Sequence, residues 1–210
     1  MFEIIPSPGT EDKDLNSAKN KIETIKPLAK TIHIDVLDGI FAPNTTFLSP
    51  SVFEDLTQDA FFEAHLMVQN PINYIQAFAD SGFKRFIGQV EQMGNQEEFV
   101  RYAKKYGEVG LALDKQSELD SIKIPFEELD TILVMTIQAG FSGQTFLPEL
   151  LEKVKALKEK CNLPIEVDGG INDATISLAK EAGATRFVAT SFIFGDGNPE
   201  ENFRKLQACI

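Results

Sequence analysis

The chain is poor in the residues that build disulfide frameworks and cysteine-based metal sites. Its 210 residues include two cysteines, Cys161 and Cys209, and their separation fits no common zinc motif. We therefore expect both to be reduced thiols without a role in a site. Tryptophan is absent, and seventeen phenylalanines are the large residues left to fill the core or to form an interface.

Long apolar runs and basic charge are also scarce. No segment approaches the roughly 18 apolar residues that a membrane span needs, and the first residues lack the basic and then apolar layout of a signal peptide. Thirty-two acidic residues against twenty basic ones give a net charge of -12, which repels nucleic acid and anionic lipid. We expect one globular domain over residues 1–210, cytoplasmic, that binds neither nucleic acid nor membrane.

Short apolar, β-branched segments recur along the chain and predict eight strands. They are residues 2–6, 31–36, 61–66, 85–90, 108–113, 130–136, 163–167 and 185–190. Segments with helical spacing lie between them, among them 71–80, 96–106, 148–160 and 173–182. The repeat averages about 26 residues, enough for one strand, one helix and two short loops. Because no dinucleotide-binding glycine motif follows the first strand, the pattern favours a closed (β/α)8 TIM barrel over an open doubly wound sheet.

Only two histidines occur, and both lie near the end of a predicted strand. His33 and Asp35 are two residues apart on strand two and therefore share a face. His65 on strand three and Asp168 on strand seven would join them inside a barrel. Two imidazoles and two carboxylates suit one divalent metal ion, such as zinc, iron(II), manganese or cobalt. Each histidine alone is more often an ordinary core residue, so the coincidence of all four is what favours a metal site.

Longer motifs around these residues resemble the ribulose-phosphate 3-epimerase family. In chain order they are His33-Ile34-Asp35-Val36-Leu37-Asp38-Gly39, His65-Leu66-Met67, Gly140-Phe141-Ser142-Gly143-Gln144 and Glu166-Val167-Asp168-Gly169-Gly170. The likeness extends from Pro6-Ser7 to Ile193-Phe194, nearly the whole chain. It implies a single (β/α)8 barrel of the ribulose-phosphate binding type and a metal-dependent isomerase of carbohydrate metabolism, in the pentose phosphate pathway. Members of the family commonly associate, so a homo-oligomer is possible.

The resemblance implies a reaction that inverts C3 of a ketose phosphate. Asp35 and Asp168 match the acid/base pair of the family, in which one carboxylate removes the proton and the other returns a proton to the opposite face. A divalent cation stabilises the enediolate between these steps. Glu63 and Glu166 each lie two residues before a predicted ligand, so we expect them either to support the ligands or to pair with arginines inside the barrel.

The resemblance also implies a substrate pocket with apolar walls and backbone donors. An acidic protein can hold a phosphate through N–H groups without lysine or arginine. Met67 and Met135 belong to this expected pocket. Considered one at a time, each is expected to be an ordinary core residue. Residues 139–146 are expected to form a flap over the substrate. The expected substrate contacts are Ser7, His65, Met67, Met135, Gly140, Phe141, Ser142, Gly143, Gly169, Gly170, Thr190 and Ser191.

Several positions depart from the family pattern and leave the substrate open. They are Pro8-Gly9, Leu37, Gln89, Ala139, Ser142 and Thr190. A β-branched Thr190 can block close approach of the backbone to a phosphate. Interconversion of D-ribulose 5-phosphate and D-xylulose 5-phosphate is the first expectation, and 3-epimerisation of allulose 6-phosphate is the alternative. A non-catalytic barrel that binds a sugar phosphate also stays open, although retention of both aspartates disfavours it.

Overall fold

A computed structural model describes residues 2–10 and 14–210, which contain eight strands in one sheet. The strands are β1 (Glu3–Pro6), β2 (Thr31–Leu37), β3 (Phe61–Met67), β4 (Arg85–Gln89), β5 (Glu108–Leu113), β6 (Thr131–Met135), β7 (Ile165–Asp168) and β8 (Arg186–Ala189). All pairings are parallel, in the order β1-β8-β7-β6-β5-β4-β3-β2. At the remaining seam, Thr31 Oγ1 donates a hydrogen bond to Glu3 Oε1 at 2.6 Å. The sheet is a nearly closed barrel, and the predicted fold class is confirmed.

Helices surround the barrel, but not in every connection. They are α1 (Leu15–Ile25), α2 (Ile75–Asp80), α3 (Gln96–Ala103), α4 (Leu151–Lys160), α5 (Thr175–Ala182), α6 (Ser191–Phe194) and α7 (Pro199–Gln207). The β2–β3 connection contains a 3-10 turn at Pro50–Phe53, and the β5–β6 connection contains 3-10 turns at Leu119–Ser121 and Phe126–Glu128. The expected strict alternation of strand and helix is therefore wrong at these two places. Prolines within both segments interrupt helical hydrogen bonding.

Local sequence explains where the helices begin. Asn95 caps α3 by accepting a hydrogen bond from the Glu98 N–H at 3.0 Å. Asn198 caps α7 in the same way for Glu200 at 2.9 Å, and Pro199 occupies the first helical position. These caps satisfy backbone N–H groups in the first turns of both helices. In the described residues, no helix is long and apolar enough to cross a membrane.

The apolar core lies in two layers. Between barrel and helices, phenylalanine rings pack edge to face: the Phe78 and Phe83 centroids are 4.9 Å apart, and the Phe62 and Phe83 centroids are 5.5 Å apart. The expectation that phenylalanine fills a core without tryptophan is confirmed. Inside the barrel, a smaller apolar cluster surrounds Met67 and Met135. Both cysteines are free thiols, as expected.

Strand register sets the level of the functional side chains. Asp35 on β2 is directly opposite His65 on β3, and Met135 on β6 is opposite Asp168 on β7. All four residues lie toward the carboxyl ends of their strands. Parallel pairing therefore brings polar residues from distant parts of the sequence to the rim of the barrel where TIM barrels carry their sites.

Candidate active site

Four side chains predicted as metal ligands converge at this rim. Asp35 Oδ1 lies 3.2 Å from His33 Nε2 and 3.1 Å from His65 Nδ1. Asp168 Oδ2 lies 3.6 Å from His65 Nδ1 and 3.9 Å from His33 Nε2. One ligand atom from each residue lies within 4.8 Å of the other three. The two histidines are fully buried, whereas each aspartate is 8% exposed and lines a pocket.

The donor set fits one divalent cation. Two imidazole nitrogens and two carboxylate oxygens are ligands that zinc, iron(II), manganese and cobalt accept, and the two carboxylates balance a double positive charge. Because Asp35 and Asp168 line a pocket, a cation held by this set would be open to a ligand from the pocket. The arrangement therefore has the features of a catalytic metal site rather than of a closed structural one.

The electrostatics of the cluster favour positive charge at its centre. Burial lowers the pKa of His33, but the charge of Asp35 and the hydrogen bonds to neighbouring carboxylates together outweigh burial and raise that pKa well above its ordinary value. Burial lowers the pKa of His65 as well, and hydrogen bonds to Asp168 and Asp35 raise it overall. Burial raises the pKa of Asp35, yet His33 and His65 hold it well below its usual range. A cation would take over the role of the imidazole protons.

Behind His33 lies a chain of buried charges. His33 Nδ1 is 2.7 Å from Glu63 Oε1, and Glu63 also pairs with Arg85. Arg85 Nε donates to Glu108 Oε2 at 2.8 Å. Burial raises the pKa of Glu63, but the bond to His33 and the charge of Arg85 lower it to about 2. Glu63 therefore combines both expected roles, as a partner of a ligand and as the partner of an internal arginine.

Glu166 differs from Glu63 although it occupies the equivalent position on β7. It is fully buried, and neither carboxylate oxygen has a hydrogen-bond partner among the described residues. Its Oε1 lies 3.6 Å from His33 Nδ1. Burial and the charge of Glu63 raise the pKa of Glu166 to about 7, so it holds a proton for much of the neutral range.

A pocket opens above the two aspartates. Most of the expected substrate contacts line it: Met67, Met135, Gly140, Phe141, Ser142, Gly143, Gly169, Gly170, Thr190 and Ser191. Ser7 and His65 do not line the pocket. Ser7 is buried and donates to Asp35 Oδ2 at 3.2 Å, and His65 is buried behind the carboxylates. Both therefore contact the pocket indirectly, through Asp35.

Sequence reasoning missed several lining residues: Thr10, Ile137, Ile171 and Val188. Thr10, Ile137 and Ile171 follow a predicted strand within a few residues, at the rim where barrels carry their sites. This position in the sequence could have indicated them as pocket residues. Thr10 is the polar member of the set and is 4% exposed.

The expected flap lies over the pocket and is tied to the loop after β1. The Thr10 N–H donates to Ser142 Oγ at 3.0 Å, and the Ser142 N–H donates to Thr10 Oγ1 at 3.0 Å. The buried Asn44 amide donates to the carbonyl oxygens of Thr10 at 3.1 Å and Gly140 at 3.2 Å. These four hydrogen bonds, which we call the flap latch, tie the loop to Thr10 and Asn44.

The departure at Thr190 is compensated by the departure at Gly9. A Cβ atom at position 9 would lie 2.7 Å from Thr190 Cγ2, and Gly9 has a φ of +94° that other residues rarely adopt. The glycine thus leaves space for the threonine methyl group. The β-branched side chain of Thr190 packs against the loop after β1. It therefore fits without displacing Gly169 and Gly170 after β7.

Comparison with known proteins adds independent findings. A model described as the Ribulose-phosphate 3 epimerase family matches residues 7–194. Proteins named ribulose-phosphate 3-epimerase are similar to the chain: one from Schizosaccharomyces pombe is 40% identical over 187 residues, 85% of this chain and 81% of that one. The cytoplasmic isoform from Oryza sativa subsp. japonica is 37% identical over 191 residues, 87% and 83% of the two chains. The protein from Bacillus subtilis is 33% identical over 217 residues, 99% of each chain.

Solved structures confirm the likeness of fold. KGPDC from Streptococcus mutans superposes with a TM-score of 0.76 at 16% sequence identity, over 99% of this chain and 96% of that one. A 3-hexulose-6-phosphate synthase superposes with a TM-score of 0.72 at 15% identity, over the whole of both chains. At these identities the likeness concerns the architecture alone.

Proposed function

Because the chain belongs to the ribulose-phosphate 3-epimerase family, we propose that it interconverts D-ribulose 5-phosphate and D-xylulose 5-phosphate with the help of one divalent cation. It is an enzyme of the epimerase class. The observation that carries the proposed mechanism is the pair of pocket-facing carboxylates, Asp35 and Asp168, on different strands at a single cluster of metal ligands.

The two aspartates are assigned the proton transfers. Inversion at C3 needs a base on one face of the planar intermediate and an acid on the other. Asp35 removes the proton in one direction and Asp168 delivers one, and the roles reverse in the other direction. Ser7 donates to Asp35 Oδ2 and the imidazoles face Oδ1, so the orientation of this carboxylate is supported on both oxygens.

His33, Asp35, His65 and Asp168 are the residues that would hold the cation. A divalent cation supplies positive charge where negative charge develops next to the substrate carbonyl. Zinc, iron(II), manganese and cobalt all suit this donor set. Met67, Met135 and Ile137 form an apolar wall of the pocket, which limits the access of water.

The phosphate group is assigned to the glycine-rich end of the pocket. Gly169 and Gly170 have φ values of +117° and +68°, and a Cβ atom on Gly170 would lie 2.9 Å from backbone atoms of Phe146. Only glycine fits this path, and both glycines line the pocket together with Thr190 and Ser191. We assign the phosphate to the backbone N–H groups of these four residues. Neither lysine nor arginine is among the lining residues that the structure describes.

Deuterium incorporation tests the reaction directly. Metal-replete protein is incubated in deuterated water with ribulose 5-phosphate, and in parallel with allulose 6-phosphate, and C3 is followed by NMR. We expect exchange and epimerisation of the five-carbon sugar. Exchange with allulose 6-phosphate alone would identify that sugar, and not ribulose 5-phosphate, as the substrate. Exchange with neither sugar would indicate a barrel that only binds a sugar phosphate.

Location and assembly are proposed on narrower grounds. The name of the rice relative assigns that protein to the cytoplasm, and we propose the same location for this chain. A homo-oligomer stays a prediction from the family resemblance. Light scattering in solution measures the mass of the particle and decides it.

A further inference from the structure

His65 has two ring nitrogens with different surroundings. Nδ1 faces the carboxylates of Asp35 and Asp168. Nε2 faces the opposite way and lies 3.1 Å from the side-chain amide of Gln89, at the end of β4. A neutral imidazole carries its proton on one nitrogen and a lone pair on the other. The partner of Nε2 therefore decides whether Nδ1 can act as a ligand.

The surroundings of Gln89 fix the orientation of its amide. The amide nitrogen can donate to Glu91 Oε2 at 2.7 Å and to the Ala112 carbonyl oxygen at 3.1 Å. Both of these groups only accept hydrogen bonds, so the nitrogen must face them and the amide oxygen must face His65. An oxygen at that position accepts a proton from Nε2. Gln89 is fully buried, so water does not offer an alternative donor or acceptor.

We propose that Gln89 is a positioning residue that holds His65 with its proton on Nε2 and its Nδ1 lone pair directed at the cation site. This inference rests on the proposed function. His33 is held in the opposite sense by a carboxylate: Glu63 contacts its Nδ1, so that Nε2 faces the cation site. A neutral amide holds His65 without adding another negative charge beside Asp35 and Asp168. Glu91 in turn orients Gln89.

The test uses three variants and two readouts. Gln89→Leu removes the acceptor at similar volume, and Gln89→Met does so with an unbranched chain if the leucine variant does not fold. The double variant Gln89→Glu with Glu91→Gln exchanges the two groups. The carboxylate at position 89 then accepts from His65 Nε2, and the amide at position 91 donates to that carboxylate. Gln76→Leu, on the exposed side of α2, is the control. Circular dichroism establishes folding of each protein.

The first readout is the zinc dissociation constant from competition with a chromophoric chelator. We expect Gln89→Leu to weaken zinc binding about 10- to 100-fold. The exchanged pair should restore only part of the loss, because the Ala112 carbonyl oxygen loses its donor. The second readout is the ring ¹⁵N spectrum of the zinc-loaded protein, which contains only two histidines. In the unmodified protein, His65 should show a metal-bound Nδ1 and a slowly exchanging Nε2 proton, and in Gln89→Leu this proton should exchange rapidly.

The outcomes separate this inference from the proposed function. Absence of zinc binding by the unmodified protein would overturn the cation site, and the inference with it. Normal binding by the unmodified protein, together with equal binding and an unchanged His65 spectrum in Gln89→Leu or Gln89→Met, would overturn the role of Gln89 alone. A loss of zinc affinity in Gln89→Leu with an unchanged His65 ring spectrum would assign the effect to packing and would also overturn the role of Gln89.

Discussion

At the residue scale, position in the barrel distinguishes the two aspartates from the other carboxylates of this acidic chain. Asp35 contacts two imidazoles and a serine hydroxyl, and Asp168 lies within 4 Å of the same two imidazoles. Most other acidic side chains lie on the surface. Function therefore depends on a few side chains whose surroundings the sheet supplies.

Replacing either aspartate tests the acid/base assignment. We expect Asp35→Asn and Asp168→Asn each to reduce kcat by about 10²- to 10⁴-fold or more, because an amide cannot accept the C3 proton. Thermal unfolding should show that both variants stay folded. The exposed Asp173→Asn should have normal turnover. Near-normal rates in either active-site variant would contradict the scheme.

Cation binding should depend on pH because protons and the cation compete for the same nitrogens. The pKa values of His33 and His65 are raised in the cluster without a cation, so binding must release protons. We expect the zinc affinity to fall as pH is lowered, beginning above the ordinary pKa of histidine, because both pKa values are raised. Calorimetry in two buffers of different ionisation enthalpy measures the protons released. Equal heats in both buffers would contradict this expectation.

Part of this residue-level detail was predictable. The i, i+2 spacing of His33 and Asp35 determines that they share a face, and parallel strands bring Asp168 to the same rim. The role of Gln89 was not predictable, because it depends on the direction of an amide that Glu91 and Ala112 fix. The indirect position of Ser7, behind Asp35, likewise depends on loop geometry.

At the scale of elements, the strands were predicted within one or two residues because buried parallel strands read as short apolar runs. The connections were predicted less well. Segments 38–60 and 114–130 contain prolines and short turns in place of an α-helix, and the repeat length alone did not indicate this. The capping hydrogen bonds are local in sequence. The flap latch joins residues far apart in sequence, so local patterns could not indicate it.

Asp38 links the end of β2 to the loop after β3. Its carboxylate accepts hydrogen bonds from the backbone N–H groups of Gln69 at 2.7 Å, Ile40 at 2.8 Å and Phe41 at 3.2 Å. Partial burial raises its pKa, but these bonds lower it overall. A lowered pKa in the folded state means that the stabilisation is present above the unfolded value and is lost as pH falls through the folded value.

Replacement of Asp38 tests this linkage. We expect Asp38→Asn to lower the free energy of unfolding at neutral pH by about 1 kcal/mol, since charge-assisted hydrogen bonds become neutral ones. Urea unfolding at several pH values measures the difference, which should shrink as pH falls below the ordinary range of aspartate. A difference that is constant with pH would contradict the assignment.

The flap latch predicts how the loop over the pocket opens. Ser142→Ala removes the side-chain oxygen that accepts from the Thr10 N–H. A hydrogen bond contributes about 0.5–1.5 kcal/mol, so opening should become roughly two- to tenfold more frequent. Hydrogen exchange of residues 140–143 should rise accordingly. The matched variant Thr145→Ala, at an exposed hydroxyl of the same loop, should not change it. Equal exchange in both variants would exclude a latch.

At the scale of the whole molecule, a chain of net charge -12 is proposed to bind a phosphorylated sugar. In this proposal, local backbone N–H groups and a divalent cation would provide the positive potential that the composition lacks. The barrel makes this possible because its carboxyl-terminal rim collects loops from all eight strands. Glycines at the phosphate end and carboxylates at the cation end then divide one pocket into two parts with different chemistry.

Anomalous X-ray diffraction at the absorption edge of the metal, from crystals of the metal-replete protein, tests the central claim most directly. We predict one strong peak at the barrel rim, within bonding distance of His33, Asp35, His65 and Asp168. A peak elsewhere, or one that lacks either aspartate as a ligand, would contradict the account.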